Sequence, residues 1–156
     1  MATMTHPIEY ADLVEKYSDE YGVDKYLIYA LISVESSYRT DAVSDAGAIG
    51  LTQITEETFR WLKMNLEPNS DTQFTDLYDP EVSIRYGTYY IHRCMERYDN
   101  DVSTRAAAYH SGWGLVDSLL AERGENTLTE FPYSRMNNYV KKINNAYSAY
   151  LYKYSE

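Results

Sequence analysis

Residues 24–36 read Asp-Lys-Tyr-Leu-Ile-Tyr-Ala-Leu-Ile-Ser-Val-Glu-Ser, and this stretch decides how the rest of the chain must fold. Between Leu27 and Val34 the apolar residues cover nearly every face of a helix instead of one stripe. A helix that is apolar all round is stable only when other elements surround it. Asp24 is a typical N-cap residue and marks where the helix begins. The sequence therefore predicts a central buried helix that ends at Glu35.

Helical patterns continue on both sides of this segment. An apolar stripe predicts a helix over residues 7–21, which Gly22 would end in a left-handed conformation. Further helices are predicted to begin at Thr55, at Asp79-Pro80 and near Ser103, and a last one to contain Tyr139, Ile143, Ala146, Tyr147, Tyr150 and Tyr154. Residues 41–53 indicate an ordered loop, and Gly112 and Gly114 indicate a turn around Trp113. We expect one all-α domain over residues 1–156, with Met1–His6 either native or a cloning remnant.

The composition excludes several classes of function. The net charge of −10 provides no excess of Lys and Arg for nucleic acid or for anionic lipid. No window approaches the roughly 20 apolar residues of a membrane-spanning helix, and no signal-peptide pattern begins the chain. The single cysteine, Cys94, is interpreted as core packing. We expect a monomer, and an anchor or export signal, if there is one, is not in this chain.

Metal and cofactor sites are not predicted. The three histidines, His6, His92 and His110, lack metal-ligand spacing. Residues 99–110 begin like a calcium loop, but Thr104 and His110 occupy the positions where glycine and the closing glutamate are required. Neither a catalytic triad context nor a glycine-rich phosphate loop is present. The sequence predicts no cofactor.

Glu35 is the residue that fits its surroundings least. A carboxylate at the end of a buried helix is costly unless it is paired, protonated or functional. Burial and the negative end of its own helix dipole both raise its pKa. A carboxyl group that stays protonated near neutral pH can donate a proton to a glycosidic oxygen. The alternative is a glutamate that simply caps or solvates the helix end.

A second carboxylate, which most glycosidases need, is not evident. Asp41 and Asp45 follow closely after Glu35, but Thr40, Ser44 and Gly47 around them are typical of turns. The tyrosines at helical spacing are interpreted mostly as core, and some as walls of a groove where they could stack on sugar rings. Tyr109 is the preferred stacking candidate because it ends an alanine-rich helix before a glycine turn.

Four separated motifs make the sequence resemble the soluble lytic transglycosylase family, and a fifth is weaker. They are Glu35-Ser36 with Ala42-Val43-Ser44 and Ala46-Gly47-Ala48; Gly50-Leu51-Thr52-Gln53-Ile54; Asp79-Pro80 with Ile84, Gly87, Tyr89 and Tyr90; Ala107-Ala108-Tyr109-His110-Ser111-Gly112; and Phe131-Pro132 with Tyr139-Val140. Each motif alone is weak, but their order across nearly the whole chain is specific.

The resemblance implies a goose-type lysozyme-like helical domain with a substrate groove. It implies that Glu35 protonates the bond between N-acetylmuramic acid and N-acetylglucosamine, and that the muramic C6 hydroxyl then closes a 1,6-anhydro ring. Ser36 would support the acid. The implied substrate is the glycan strand of peptidoglycan, outside the cytoplasmic membrane in the bacterial envelope. Substrate-binding positions are expected at Ser44, Thr52, Gln53, Tyr109, His110 and Tyr139.

Some positions depart from the family pattern. Thr52 and Thr55 replace methionines, His110 replaces an asparagine, and Arg135 occupies a position where the family often has a glutamate, for which Glu130 is a weak substitute. These differences keep other functions open. A muramidase on the same fold would add water instead of closing the anhydro ring. A non-catalytic glycan-binding module of the envelope and a helical interaction domain without a groove are the remaining alternatives.

Overall fold

The computed structural model describes residues 6–98, 101–128 and 130–155. Within these ranges the chain forms seven α-helices and a short 3-10 helix at Phe74–Tyr78. The α-helices are α1 (Ala11–Tyr21), α2 (Lys25–Ser36), α3 (Glu56–Leu66), α4 (Pro80–Arg97), α5 (Val102–Ser111), α6 (Trp113–Arg123) and α7 (Ser134–Tyr154). Two isolated β-bridges, Val43 with Ile49 and Ile49 with Ile54, lie between α2 and α3. The predicted all-α fold class is confirmed.

Helix α2 lies at the centre of the domain, as its sequence predicts. Residues 27–32 are all buried, with no more than 6% of any of them exposed. Helix α7 packs along α2 and also contacts α5, while α1 packs against α2 and α4. Burial of each large apolar side chain stabilises the fold by about 1.5–3 kcal/mol. Truncation of the fully buried Ile28 to alanine would cost about 2–5 kcal/mol.

Capping residues fix most helix boundaries where the sequence predicted them. The Asp24 carboxylate accepts a hydrogen bond from the Tyr26 amide at 2.8 Å, and Gly22 ends α1 with φ of 67°. Thr55 caps α3. The Asp79 carboxylate accepts from the Glu81 amide at 2.8 Å, with Pro80 in the first position of α4. These contacts satisfy backbone amides that have no partner within the first helical turn.

Two parts of the helix prediction are wrong. Helix α1 begins at Ala11 and not at residue 7, because Tyr10 adopts a left-handed conformation with φ of 59°. The segment around Trp113 is not only a turn. Gly112, with φ of 90°, ends α5, and Trp113 immediately begins α6, which buries Val116 and Leu119. A single glycine is enough to change the helix direction because it adopts positive φ without steric cost.

The remaining predictions concern Cys94, the termini and the calcium-like segment. Cys94 is fully buried and accepts a hydrogen bond from Trp113 Nε1 at 3.5 Å, which confirms core packing. Met1–Thr5 and Asp99 lie outside the described residues, and Asp101 caps α5 by accepting from the Thr104 amide. In the described ranges, three or more His, Cys, Asp or Glu side chains nowhere come together as a possible metal site. None of the helices described is both long and apolar enough to cross a bilayer.

Candidate active site

Glu35 lies in the last turn of α2, where the buried helix reaches the surface of the domain. The next residues turn the chain away sharply, since Ser37 and Tyr38 both adopt left-handed conformations, with φ of 51° and 63°. The buried Ser36 hydroxyl donates to the Leu51 carbonyl at 2.9 Å. This bond ties the end of α2 to the loop over residues 42–54, so the position of Glu35 relative to that loop is fixed.

The environment of the Glu35 carboxyl group favours its protonated form. Burial raises its pKa from the ordinary 4.5 to about 7, and a hydrogen bond from Tyr139 partly opposes this shift. The Tyr139 hydroxyl donates to Glu35 Oε2 at 2.6 Å. Burial, together with the nearby Glu35, raises the pKa of Tyr139 well above its usual value, so Tyr139 remains a donor. The upward pKa shift predicted for Glu35 is confirmed, and its catalytic role stays a prediction.

The loop over residues 42–54 lies against the 3-10 helix and α4 because two glycines leave room for these contacts. A Cβ on Gly50, whose φ is 82°, would lie 2.2 Å from the Leu77 carbonyl oxygen. A Cβ on Gly87 of α4 would lie 2.5 Å from Thr52 Cγ2. Neither contact is possible for a larger residue without a backbone shift. Gly50 therefore sets the distance between this loop and the 3-10 helix, and Gly87 sets its distance from α4.

Two polar residues of the loop are held in fixed orientations. The Ser44 hydroxyl accepts from the Ala48 amide at 3.1 Å. Gln53 has φ of 53°, and its Nε2 donates to the Ala42 carbonyl at 3.1 Å and to the Gly50 carbonyl at 3.0 Å. A non-glycine residue with positive φ is uncommon and costs conformational energy. The side-chain bonds of Gln53 stabilise this conformation and orient its amide beside the cavity at Glu35.

A cavity of about 370 Å³ opens beside Glu35. It falls within the roughly 300–1,000 Å³ of typical ligand sites. Five of the predicted site residues line it together: Glu35, Ser44, Gln53, Tyr109 and His110. The rest of the lining comes from the same loop, from α3, from α4 and from the end of α5: Ala46, Ala48, Ile54, Thr55, Glu57, Thr58, Tyr90, Ser111 and Gly112.

Two of these lining residues were not predicted as site residues. Glu57 was not singled out in the sequence, and Tyr90 was named only as part of the third family motif. Both reach the cavity because α3 and α4 pack against each other, and a short sequence window contains no signal of that packing. Asp41 and Asp45 are exposed and do not line the cavity. Glu57 is thus the carboxylate that shares the cavity with Glu35.

Thr52 and Tyr139 support the cavity from behind instead of lining it. The Thr52 side chain is fully buried, and its hydroxyl donates to the Ser83 carbonyl at 2.9 Å. Its carbonyl accepts from the Tyr109 hydroxyl at 2.7 Å. The Thr52 side chain does not line the cavity, because Gly87 lets it pack against α4, and a direct contact of Thr52 with substrate stays a prediction. Tyr139, only 8% exposed, reaches the site through its bond to Glu35.

His110 is exposed at the rim of the cavity and stacks on Tyr139. The two ring centroids are 4.3 Å apart, and the ring planes differ by 16°. Desolvation, followed by the charge of Arg135, lowers the pKa of His110 below its usual 6.5. A neutral imidazole near pH 7 therefore covers the tyrosine that donates to Glu35.

Known proteins are similar to this chain in sequence and in fold. The family model of the transglycosylase SLT domain matches residues 12–132. A curated relative, the membrane-bound lytic murein transglycosylase C of Glaesserella parasuis serovar 5 (strain SH0165), is 33% identical over an alignment of 169 residues that covers 90% of this chain. The chain belongs to the transglycosylase SLT family.

Solved structures carry the same fold as this SLT domain. The 70 kDa soluble lytic transglycosylase from Escherichia coli superposes with a TM-score of 0.87 at 26% identity, covering 94% of this chain and 25% of that one. A complex of the 70 kDa soluble lytic transglycosylase with bulgecin A gives a TM-score of 0.90 at 25% identity, covering 97% of this chain and 25% of that one. The predicted lytic-transglycosylase fold of the SLT domain is confirmed. The chain spans 45% of the curated relative.

Proposed function

We propose that this SLT domain is a peptidoglycan lytic transglycosylase of the bacterial cell envelope, acting as a monomer. One observation carries the proposal: Glu35, with a pKa of about 7, lines a cavity of about 370 Å³. A general acid is most effective when its pKa lies near the working pH. The names of the relatives support the proposal, since they are lytic transglycosylases and one was solved with bulgecin A.

In the proposed reaction Glu35 moves a proton twice. It first donates its proton to the oxygen that leaves from C1 of N-acetylmuramic acid, and the bond to N-acetylglucosamine breaks. The Glu35 carboxylate then accepts the proton of the muramic C6 hydroxyl as that oxygen bonds to C1. The products are a strand with a 1,6-anhydro ring and a strand with a free hydroxyl, with no water consumed. One carboxyl group is enough because the substrate supplies its own nucleophile.

The other residues of the site orient these two steps. Tyr139 stabilises the carboxylate that forms after the first proton transfer, through its 2.6 Å hydrogen bond. Ser44, Gln53, Tyr109 and His110 line the part of the cavity beside Glu35 and bind the sugar rings. The Thr52 carbonyl fixes the Tyr109 ring by accepting from its hydroxyl. Preorganised groups of this kind lower the barrier because they need not reorient during the reaction.

Digestion of purified peptidoglycan followed by mass spectrometry tests the proposal. The expected muropeptides end in anhydro-muramic acid and are one water lighter than hydrolysed ones. Reducing-end products would instead show a muramidase. Glu35→Gln is expected to reduce cleavage by roughly 10²- to 10⁴-fold while the fold and glycan binding survive. Cleavage by that variant at the wild-type rate, or glycan binding by the wild type without turnover, would refute the proposed mechanism.

A further inference from the structure

A second cavity, of about 410 Å³, opens next to the one at Glu35. It is lined by Glu57, Thr58, Trp61, Tyr90 and Trp113. Three of these residues, Glu57, Thr58 and Tyr90, also line the Glu35 cavity. The two cavities therefore share a wall, and together they form one groove that leads from the acid toward the tryptophans.

Aromatic rings follow this groove from one cavity to the other. Tyr109 and Tyr90 have ring centroids 4.7 Å apart, and Tyr90 meets the edge of Trp61 at 6.1 Å. Trp61 and Trp113 are 5.0 Å apart in an edge-to-face arrangement, with 77° between their planes. Trp61 is one of the large apolar residues that the domain leaves exposed, at 36%. A large indole exposed beside a groove marks a surface that can bind a partner with an apolar face.

Two arginines hold the indole rings in place. The Arg93 guanidinium lies 5.1 Å from the Trp61 ring centroid and 5.9 Å from that of Trp113. The Arg97 guanidinium lies 4.7 Å from the Trp113 ring. Arg93 Nε is itself paired with Glu96 at 3.1 Å. Cation–π contacts of this kind orient the rings before any ligand arrives, so binding loses less conformational entropy.

We infer that Trp61 and Trp113 form a saccharide subsite that binds sugar units of the glycan strand beyond those held at Glu35. The inference rests on the proposed function, since it requires a polymeric substrate that continues along the groove. A pyranose ring has an apolar face of C–H groups that packs on an indole, while its hydroxyls bond to neighbouring polar groups. Glu57 and Thr58 supply such groups where the two cavities meet.

Tryptophan fluorescence tests the inference directly, because the two tryptophans of the chain both line this cavity. The probe is peptide-free peptidoglycan glycan strands, fractionated by length and titrated into the Glu35→Gln variant to prevent turnover. We expect a saturable change in emission that grows with strand length. Trp61→Ala in the same background should weaken binding of long strands by about three- to tenfold, as measured by calorimetry. Trp61→Phe should retain most of the affinity.

Met64→Ala is the matched control, since Met64 is 72% exposed on the same helix and does not line the cavity. Its affinity should equal that of the parent. Unchanged emission on binding of long strands, or equal affinity of the Trp61→Ala variant, would overturn the subsite. These outcomes are independent of turnover, which is measured with the same strands on the Glu35-containing protein. If the strands are cleaved but neither the tryptophan emission nor the affinity depends on Trp61, the proposed function stands and only the subsite is refuted.

Discussion

Two glutamates of this domain accept a hydrogen bond from a tyrosine at the same distance, yet their pKa values shift in opposite directions. Tyr139 donates to Glu35 at 2.6 Å, and Tyr86 donates to Glu67 at 2.6 Å. The pKa of Glu35 is raised to about 7, whereas that of Glu67 is lowered from 4.5. Both residues are glutamates, and each accepts a hydrogen bond from one tyrosine hydroxyl. The difference must come from the other neighbours.

Those neighbours are a cation and a further hydroxyl. Burial raises the pKa of Glu67 as well, but the bonds from Tyr86 and Thr72 and the charge of Arg85 outweigh it. Arg85 Nη1 lies 2.7 Å from Glu67 Oε1, and Thr72 donates at 2.9 Å. Among the described residues no cation forms an ion pair with Glu35. A buried carboxyl group stays protonated near neutral pH when one hydroxyl, and no cation, compensates its burial.

The largest expected effect is on turnover, and the same substitution at both glutamates separates the two sites. Glu35→Gln should reduce turnover of peptidoglycan by roughly 10²- to 10⁴-fold, because it removes the proton donor. Glu67→Gln should turn over at about the wild-type rate, because Glu67 lies outside the cavity at Glu35. Release of soluble muropeptides at 25 °C measures both rates. A comparable loss in the Glu67 variant, with its fold intact, would show that the two carboxylates are not functionally distinct.

The same substitution of Glu35 should lower turnover but raise the stability of the fold. A carboxyl group with a pKa of 4.5 in the unfolded chain and about 7 in the fold binds its proton more tightly when folded. The fold therefore loses stability as the pH rises from 4.5 to 7, by up to roughly 3 kcal/mol. Glu35→Gln should be more stable than wild type by up to this amount at pH 8, with no gain near pH 4.5. Urea unfolding at both pH values measures the difference.

Glu67→Gln should show the reverse pattern in the same urea experiment. Its loss at pH 8 should be about 1–3 kcal/mol, because Arg85 is left without its carboxylate partner. A carboxylate with a lowered pKa stabilises the fold above its unfolded value and loses that contribution as the pH falls through the folded value. The difference from wild type should therefore shrink at low pH. Equal pH dependence in both variants would contradict the electrostatic distinction.

The sequence predicts the environment of Glu35 well, but not that of Glu67. Glu35 follows an all-apolar helix, so its burial and raised pKa are visible in residues 24–36 alone. Glu67 carries no such signal, because its partners Arg85 and Tyr86 come from α4, far along the chain. The caps at Asp24 and Asp79 are likewise local and were predicted correctly. Contacts within one helical turn can be deduced from local residue patterns, whereas the contacts between elements that were predicted, such as Tyr109 and His110 beside Glu35, came only from the family resemblance.

The errors in the site and in the fold have two origins. The side chain of Thr52 was expected in the groove, but it points toward Ser83 because Gly87 opens a space on α4. Helix α6 was missed because Gly112 looked like a simple turn, and its buried residues, Val116 and Leu119, are too few to produce a clear stripe. Glu57 enters the cavity only through helix packing. The errors at Thr52 and Glu57 concern how one element packs against another, whereas the errors at α1 and α6 concern the local conformations of Tyr10 and Gly112.

A smaller effect, on the pH dependence of turnover, is expected when the tyrosines that donate to the two glutamates are replaced. The ratio kcat/KM should fall as the pH rises through about 7, the pKa of the general acid Glu35. Because the Tyr139 bond favours the carboxylate, Tyr139→Phe should raise this midpoint by roughly one pH unit. The matched variant Tyr86→Phe should leave the midpoint unchanged, since Tyr86 donates to Glu67. A pH–rate profile of each variant measures the midpoint, and a downward shift for Tyr139→Phe would reverse the assigned role.

The smallest effect should come from Arg135, which acts on the Glu35 site only through His110. Its charge is one of the two causes that lower the pKa of His110, and it is exposed to solvent. Arg135→Gln should therefore raise the pKa of His110 toward its usual value, which an NMR titration of the imidazole detects. The midpoint of kcat/KM near pH 7 should not move. Movement of that midpoint would mean that the charge of Arg135 does act on Glu35. Glu35 and Glu67 would then differ only in how strongly a cation affects the pKa of each. A midpoint that stays in place while His110 shifts would show that stacking on Tyr139 separates the rim charge from the acid.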